Sequence, residues 1–468
     1  MIRITFDRGA LRISGDPERL APAAKWLTWD ARISAYRAQA RHYGPIALAL
    51  HRAGEAFHDE ARGFEKRDFH SREGLTPRPH QQQAMRAWAE QEHNGVVVMP
   101  TGSGKSLVAR MAIERVKRDA IVLAPTIDLL HQWSEQMGAA FDMPIGVIGG
   151  GEFDIQPLTV CTYDSAAIHM ERIGDRFGLL ICDECHHLPT PTNRLAAVMS
   201  IAPFRLGLTA TPERTDGGEE AIYELLGPLC HRVEIAHLEG EYLAPYDLEK
   251  IPVILDDDER QAYDAAYAHY RGFVAANGIR LGGPNGWNNF IMFCARSAEG
   301  RAAFKAYQTQ KRIARASRAK LRAVWGLLRR HRTEQSILFT DDNATAYAIG
   351  ETFFLPVITH KTKLAERKAL LAAFRAGEVK SMVTSRVLNE GVDVPDVAVG
   401  IIVSGTGSVR EHVQRLGRIL RPREGKRAVL YELVSEDTAE QFTSERRRQH
   451  AAYQKDQLIL DENGGQDE

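Results

Sequence analysis

Nowhere in the 468 residues is there a run of about 18 apolar side chains, so the sequence offers no segment suited to crossing a membrane as a helix. Charge of one sign is also missing: 60 Lys and Arg face 61 Asp and Glu, for a formal net charge of -1. That excludes a uniformly basic coat, and any surface for an anionic polymer has to come from local grouping. Cysteine is scarce. The five residues form no even framework, which fits a reducing cytoplasm. The one close group, Cys182, Cys185, His186 and His187, is too crowded around Asp183-Glu184 to wrap a tetrahedral zinc ion. No four-cysteine set is spaced for an iron–sulfur cluster. The opening residues Met1-Ile2-Arg3-Ile4-Thr5-Phe6 alternate and carry charge, so they read as a strand and not as a secretion signal.

The chain is too long for one core. Residues 1–75 read as a small α+β domain, with strands Arg3–Phe6 and Ala10–Ser14 flanking an Asp7-Arg8-Gly9 hairpin and a helix near Pro45–Arg52. Residues 76–240 alternate short apolar strands with helical stretches. Gly95–Met99, Ala120–Ala124, Leu158–Cys161, Leu179–Cys182 and Arg205–Leu208 are strands of the kind buried on both faces, which predicts a parallel sheet. Residues 241–335 read as a connector followed by a helical segment. If 311–329 is one helix, Lys311, Arg315, Arg318, Arg322 and Arg329 form a basic stripe, either a solvated face or a phosphate-tracking surface. Alternation returns over 336–460, giving a second α/β unit, and 461–468 is an acidic, Gly-rich tail expected to be disordered. The expected class is therefore α/β, with two tandem parallel-sheet domains.

Pro100-Thr101-Gly102-Ser103-Gly104-Lys105-Ser106 lies between a strand and a helix, the setting a phosphate-binding loop needs. Glycines let backbone N–H groups face phosphates, and the following helix points its positive end at them. Lys105 is placed for the β- and γ-phosphates of ATP, and Ser106 for Mg²⁺. The usual first glycine of this pattern is Met99 here. Asp183-Glu184-Cys185-His186 ends a strand. Asp183 suits Mg²⁺ and Glu184 the attacking water, with the two carboxylates pointing to opposite sides of the strand. Thr209 and Thr211, in Leu208-Thr209-Ala210-Thr211-Pro212, are candidates for coupling the ATP site to the track. In the second unit Gln414, Arg418 and Arg421 share a helical face, from which the arginines can stabilise charge on a transferring phosphoryl group. Gly391 and Asp393 precede them as candidate ATP contacts. Arg78 and Gln81 fit an adenine-recognition element, Arg78 by stacking and Gln81 with a donor and an acceptor. Candidate phosphate contacts on the track are Thr126, Thr162 with Tyr163, Thr340, His360 and Thr384.

With these residues assembled, the chain resembles superfamily-2 helicases, and within them the excision-repair helicase family XPB in its compact archaeal and bacterial form. Asp183-Glu184-Cys185-His186-His187, Leu206–Thr211, Ile358–Thr362 and Gln414–Pro422 carry the resemblance, with Trp29–Arg32 and Tyr36-Arg37 resembling that family's damage-recognition domain. The resemblance implies two RecA-like domains, a thumb-like insertion at 256–332, ATP hydrolysis with Mg²⁺, single-stranded or forked DNA as the track, and 3′-to-5′ polarity. It further implies nucleotide excision repair, a partner nuclease, a monomer, and a cytoplasmic, nucleoid-associated location in a prokaryote. It departs at Arg214-Thr215-Asp216, where Arg214 is a candidate DNA contact and Thr215 replaces the family's central carboxylate. Weaker unwinding with ATP hydrolysis retained is the expectation. The rival readings are a duplex-DNA translocase of a restriction or defence system, a DExH RNA helicase, and a degenerate scaffold. Intact Lys105, Asp183, Glu184, Arg418 and Arg421 speak against the last.

Overall fold

The computed structural model describes residues 1–72, 74, 76–213, 217–233, 246–281, 286–385, 397–405 and 428–448. The chain divides into two units, Met1–Val233 and Glu234–Glu468. Among the described residues no helix is long and apolar enough to cross a membrane.

The first unit opens with a five-stranded sheet in the order Thr28–Asp30, Ala35–Gln39, Ala10–Ser14, Ile2–Asp7, Phe57–Asp59. Its hairpin turns on Arg8 and Gly9, both at positive φ (47° and 76°), the conformation a two-residue turn needs to match strand twist. Alternation puts Ile2, Ile4, Leu11 and Ile13 on the covered face. Tyr43, Ile46 and Leu50, one stripe of the helix Tyr43–Arg52, close over them.

The motor sheet of this unit runs Leu229–Arg232, Asn94–Val98, Phe204–Thr209, Leu179–Asp183, Ala120–Ala124, Leu158–Thr162, Gly146–Gly149, Glu152–Phe153. Its pairs are parallel except the last. The three adjacent strands ending at Val98, Thr209 and Asp183 therefore deliver their loops to one carboxyl edge, where ligands bind in open α/β sheets. At the opposite end Arg205 is buried without a carboxylate. Its guanidinium instead donates to the carbonyls of Ala202, Leu225 and Ser200 at 3.1, 2.8 and 2.8 Å.

The second unit holds a parallel sheet in the order Tyr246–Val253, Ala428–Ser435, Val399–Ile402, Ser336–Phe339, Ser381–Thr384, Val357–Ile358. This corrects the reading of 241–335 as connector and insertion alone, because Tyr246–Val253 is an edge strand of this sheet. Pro252 is tolerated there because an edge leaves one side of the ladder unpaired. Three helices follow, Asp257–Ala276, Gly286–Arg296 and Ala298–Arg315, around Tyr270, Phe273, Phe290 and Ala303. The next helix, Arg318–Arg330, sends Val324 and Leu327 into the sheet core with Leu338, Tyr431 and Leu433.

The condition of one helix over 311–329 is not met. The helix breaks at Ala316, and Ser317 caps a new helix by accepting from Lys320 N at 3.2 Å. Three arginines of the expected basic stripe have carboxylate partners within the unit. Arg315 pairs with Asp341 and Asp342, Arg318 with Asp256, Asp258 and Glu259, and Arg322 with Asp256.

Candidate functional site

Strand Asn94–Val98 leads through Met99 and Pro100 into a loop whose Gly102 and Gly104 stand at φ 83° and 90°. Only glycine takes such angles without strain. The helix Lys105–Val116 begins directly behind, and its N-terminus carries no side-chain cap. Leu107 N turns back on Gly104 O at 3.0 Å, which leaves the N–H groups of Lys105 and Ser106 at the head of the helix for an anion. Ser103 is fully buried and donates to Pro100 O at 2.6 Å, which fixes the turn. Lys105 is folded back, with Nζ on Met99 O at 3.2 Å and 3.9 Å from Glu184 Oε1.

Asp183 ends its strand, buried, with Oδ2 accepting from Trp133 Nε1 at 2.8 Å and Oδ1 from Glu184 N at 3.0 Å. Burial, then the neighbouring Glu184 charge, push its carboxyl up to about 6, against the pull of Lys105 and the Trp133 bond. Glu184 is separated from Asp183 by a mechanism other than strand alternation. It leaves the strand at φ 45°, a left-handed turn that swings its carboxylate away. There Glu184 Oε2 lies 3.4 Å from His186 Nδ1 and 3.5 Å from Thr209 Oγ1. His186 Nδ1 and Thr209 Oγ1 are 3.1 Å apart, and Thr209 Oγ1 also accepts from Thr211 N at 3.2 Å. The sequence-predicted Lys105, Asp183, Glu184, Thr209 and Thr211 thus meet at one sheet edge, and His186 joins them. Cys182 and Cys185 sit behind them, and desolvation raises both thiols, Cys182 to about 12.

Gln81 departs from its expected role. Its Oε1 accepts from Arg78 N at 2.9 Å, and its Nε2 donates to Ser103 O at 2.9 Å and Gly104 O at 3.3 Å. A side chain at Gly104 would run into the Gln81 amide. The Nε2 end of that amide holds the loop and the Oε1 end caps the helix Pro79–Glu90, so both are engaged within the chain. His80 Nε2 adds a contact to Ser103 O at 3.1 Å.

Among the track candidates, Thr126 and Thr162 are N-caps. Thr126 Oγ1 accepts from Leu129 N at 3.3 Å and Thr162 Oγ1 from Ser165 N at 3.2 Å, which places both at first turns of helices. Thr340 and Thr384 are corrected as hydroxyl contacts. Both are fully buried, Thr340 donating to Asp342 O and Thr384 to Ser385 O at 3.0 Å. His360 is exposed, with Nδ1 3.1 Å from Asn343 Nδ2. Arg214, Gly391, Asp393, Gln414, Arg418 and Arg421 lie outside the described residues. Trp133 was missed in the sequence because it belongs to no loop or charged motif, and His80, inside Arg78-Pro79-His80-Gln81, carries no role in that reading.

Residues 4–61 match the xeroderma pigmentosum group B helicase damage recognition domain, residues 74–214 the res subunit of type III restriction enzymes, and residues 292–457 the ERCC3/RAD25/XPB C-terminal helicase. The chain is 40% identical over 372 residues to the DNA 3′-5′ translocase XPB2 of Sulfurisphaera tokodaii, covering 80% of this chain and 84% of that one. It is 31% identical over 370 residues to the DNA 3′-5′ helicase XPB of Mycobacterium tuberculosis, of whose length it spans 60%, against 76% of its own. The crystal structure of the Hef helicase domain of Pyrococcus furiosus superposes with a TM-score of 0.51 at 18% identity, over 79% of this chain and 98% of that one, a likeness of fold.

Proposed function

The chain belongs to the XPB family of DNA 3′-5′ helicases, and on that premise we propose an ATP-driven motor fuelled at the loop Pro100–Ser106 with Asp183 and Glu184. The observation that carries the reading is Lys105 standing 3.9 Å from Glu184 at an uncapped helix N-terminus behind two left-handed glycines. These groups fit a nucleotide phosphate with its metal: open backbone N–H donors, one cation, and two acceptors of differing environment. Bound Mg²⁺ supplies neutralisation of phosphate charge.

The chain's own residues do the rest. Thr101, Gly102, Ser103 and Gly104 present the loop backbone. Lys105 exchanges the Met99 carbonyl for phosphate oxygen, and Ser106 and Asp183 hold the metal. Glu184 Oε2 takes a proton from the attacking water, with His186 and Thr209 fixing its orientation. Arg418 and Arg421, with Gln414 on the same expected helical face, are the proposed charge stabilisers from the second unit, with Gly391 and Asp393 as its nucleotide contacts. DNA, single-stranded or forked, is the proposed track. The first turns at Thr126 and Thr162, with Arg214 and His360, are its sequence-blind phosphate contacts. The work this serves is nucleotide excision repair by a monomeric chain in a prokaryotic cytoplasm, at the nucleoid and beside a nuclease.

The test is ATP hydrolysis without nucleic acid and with single-stranded DNA, forked DNA or RNA. DNA is expected to stimulate, and Lys105→Ala to lower kcat by at least about 10²-fold, the scale of losing one donor to developing charge. Stimulation by RNA alone would overturn the DNA assignment, and silence with every substrate would leave a scaffold. A second expectation concerns Thr215. Thr215→Glu should raise the number of strands separated per ATP hydrolysed, read on a forked duplex, and an unchanged ratio would remove that residue as the cause of weak unwinding.

A further inference from the structure

Asp183 is gripped from two sides by aromatic donors. Trp133 Nε1 donates to its Oδ2 and Tyr163 Oη to its backbone carbonyl, both at 2.8 Å. The two side chains are buried, at 4% and 2% exposure, so Tyr163 cannot reach nucleic acid as the sequence suggested. Each aromatic stands on a helix capped by a candidate track residue. Trp133 lies on Ile127–Phe141 behind Thr126, and Tyr163 opens Tyr163–Ile173 directly after Thr162. An indole N–H is a donor with no acceptor capacity, so the Trp133 bond has one direction and one partner. With Glu184 N on Oδ1 as well, both carboxylate oxygens are fixed by donors. Phenylalanine would serve a purely apolar packing role at either position. The polar tips are what apolar packing alone does not require.

We infer that Trp133 and Tyr163 are positioning residues for ATP hydrolysis, tying the Asp183 carboxylate and carbonyl to the two helices that carry the proposed DNA contacts Thr126 and Thr162. Trp133 lies about 10 Å along its helix axis from the Thr126 cap, two turns of a stiff rod. A small shift of that rod on engaging a phosphate moves the indole and, through it, the carboxylate that holds the metal. Outer partners of this kind orient metal-holding groups and set their affinity. The inference rests on the functional reading above in taking Asp183 as the metal-holding carboxylate.

The experiment measures Mn²⁺ binding in the presence of ADP by electron paramagnetic resonance, on the full chain, with and without single-stranded DNA. Trp133→Phe and Tyr163→Phe are compared with the unaltered protein. Trp133→Phe is expected to weaken Mn²⁺ affinity about 10-fold, the lower end of what loss of an outer partner costs. It should also abolish the change in affinity that DNA causes. Excess Mn²⁺ should restore full occupancy, and ADP affinity measured in chelator should not move, neither of which a collapsed site would allow. Tyr163→Phe, which removes a single oxygen, should shift affinity in the same direction, and it decides the matter alone if thermal melting shows that Trp133→Phe does not fold. Mn²⁺ affinity and DNA response equal to those of the unaltered protein in the folded variants would overturn the inference. Failure of the unaltered protein to bind Mn²⁺ with ADP would instead strike the functional reading, and the inference with it.

Discussion

Asp183→Asn is expected to make the protein inactive and more stable at once. The Asp183 carboxyl is buried, and its folded value of about 6 lies above the ordinary 3.8. A raised value means that the native state binds the proton more tightly than the unfolded chain. Stability from this group is therefore fully present below about pH 4 and lost as pH rises to about 6. Above that, the native state carries a buried anion, a desolvation cost that the hydrated carboxylate of the unfolded chain does not bear. Asn carries no charge and keeps one oxygen for the Trp133 N–H, but its amide NH2 then faces the Glu184 N–H, so the gain from removing the charge is reduced by that lost hydrogen bond. Denaturant unfolding at pH 8 should show Asp183→Asn the more stable, with the gain gone at pH 4. ATP hydrolysis should fall by at least about 10²-fold. Equal stability of the two forms at pH 8 would mean that Lys105 and the surrounding donors already compensate the charge in full. The site then trades stability for a poised carboxylate, as functional sites commonly do.

The second large effect is expected at Lys320. This side chain is fully buried, with Nζ 2.6 Å from Glu440 Oε2 and 2.6 Å from Val403 O. Glu440 Oε2 also accepts from Ser435 N at 3.1 Å. The pair joins the helix Arg318–Arg330 to the helix Ala439–Arg448 and to the end of the strand Val399–Ile402. Lys320→Ala strands the Glu440 carboxylate in the interior and should cost about 3–5 kcal/mol, read as a lowered unfolding midpoint. Lys320→Met with Glu440→Gln removes both charges and should recover most of that loss. A single variant as stable as the parent would show that water reaches Glu440.

The turn Pro100–Ser106 and the Asp183-Glu184 pair at the same sheet edge were legible in the sequence because their signals are local: two glycines, a lysine and a helix start within seven residues. The sheet class was legible too, since strands such as Ala120–Ala124 are apolar throughout. What stayed hidden depends on distant partners. The arginines at 315, 318 and 322 look unopposed in their own segment, yet their carboxylates come from 256–259 and 341–342. Gln81 looks free for a base until the loop beside it claims its amide. Glu184 continues a strand by pattern, and only its positive φ reveals the turn. Thr340 and Thr384 sit at strand ends, as phosphate contacts often do, but their hydroxyls close onto backbone carbonyls.

Strand Tyr246–Val253 has a consequence in time. Its only ladder partner in the described residues, Ala428–Ser435, lies roughly 180 residues later in the chain, so at ribosomal rates of about 5–20 residues per second it waits some 10–40 s for a mate. Through that interval an emerging chain carries an unzipped ribbon, Tyr246-Asp-Leu-Glu-Lys-Ile-Pro-Val, beside helices already able to form. Asp247, Glu249, Lys250 and Pro252 discourage a stray chain from pairing with it. The same residues that make this strand hard to notice keep the nascent protein from sticking to its neighbours before its last strand arrives.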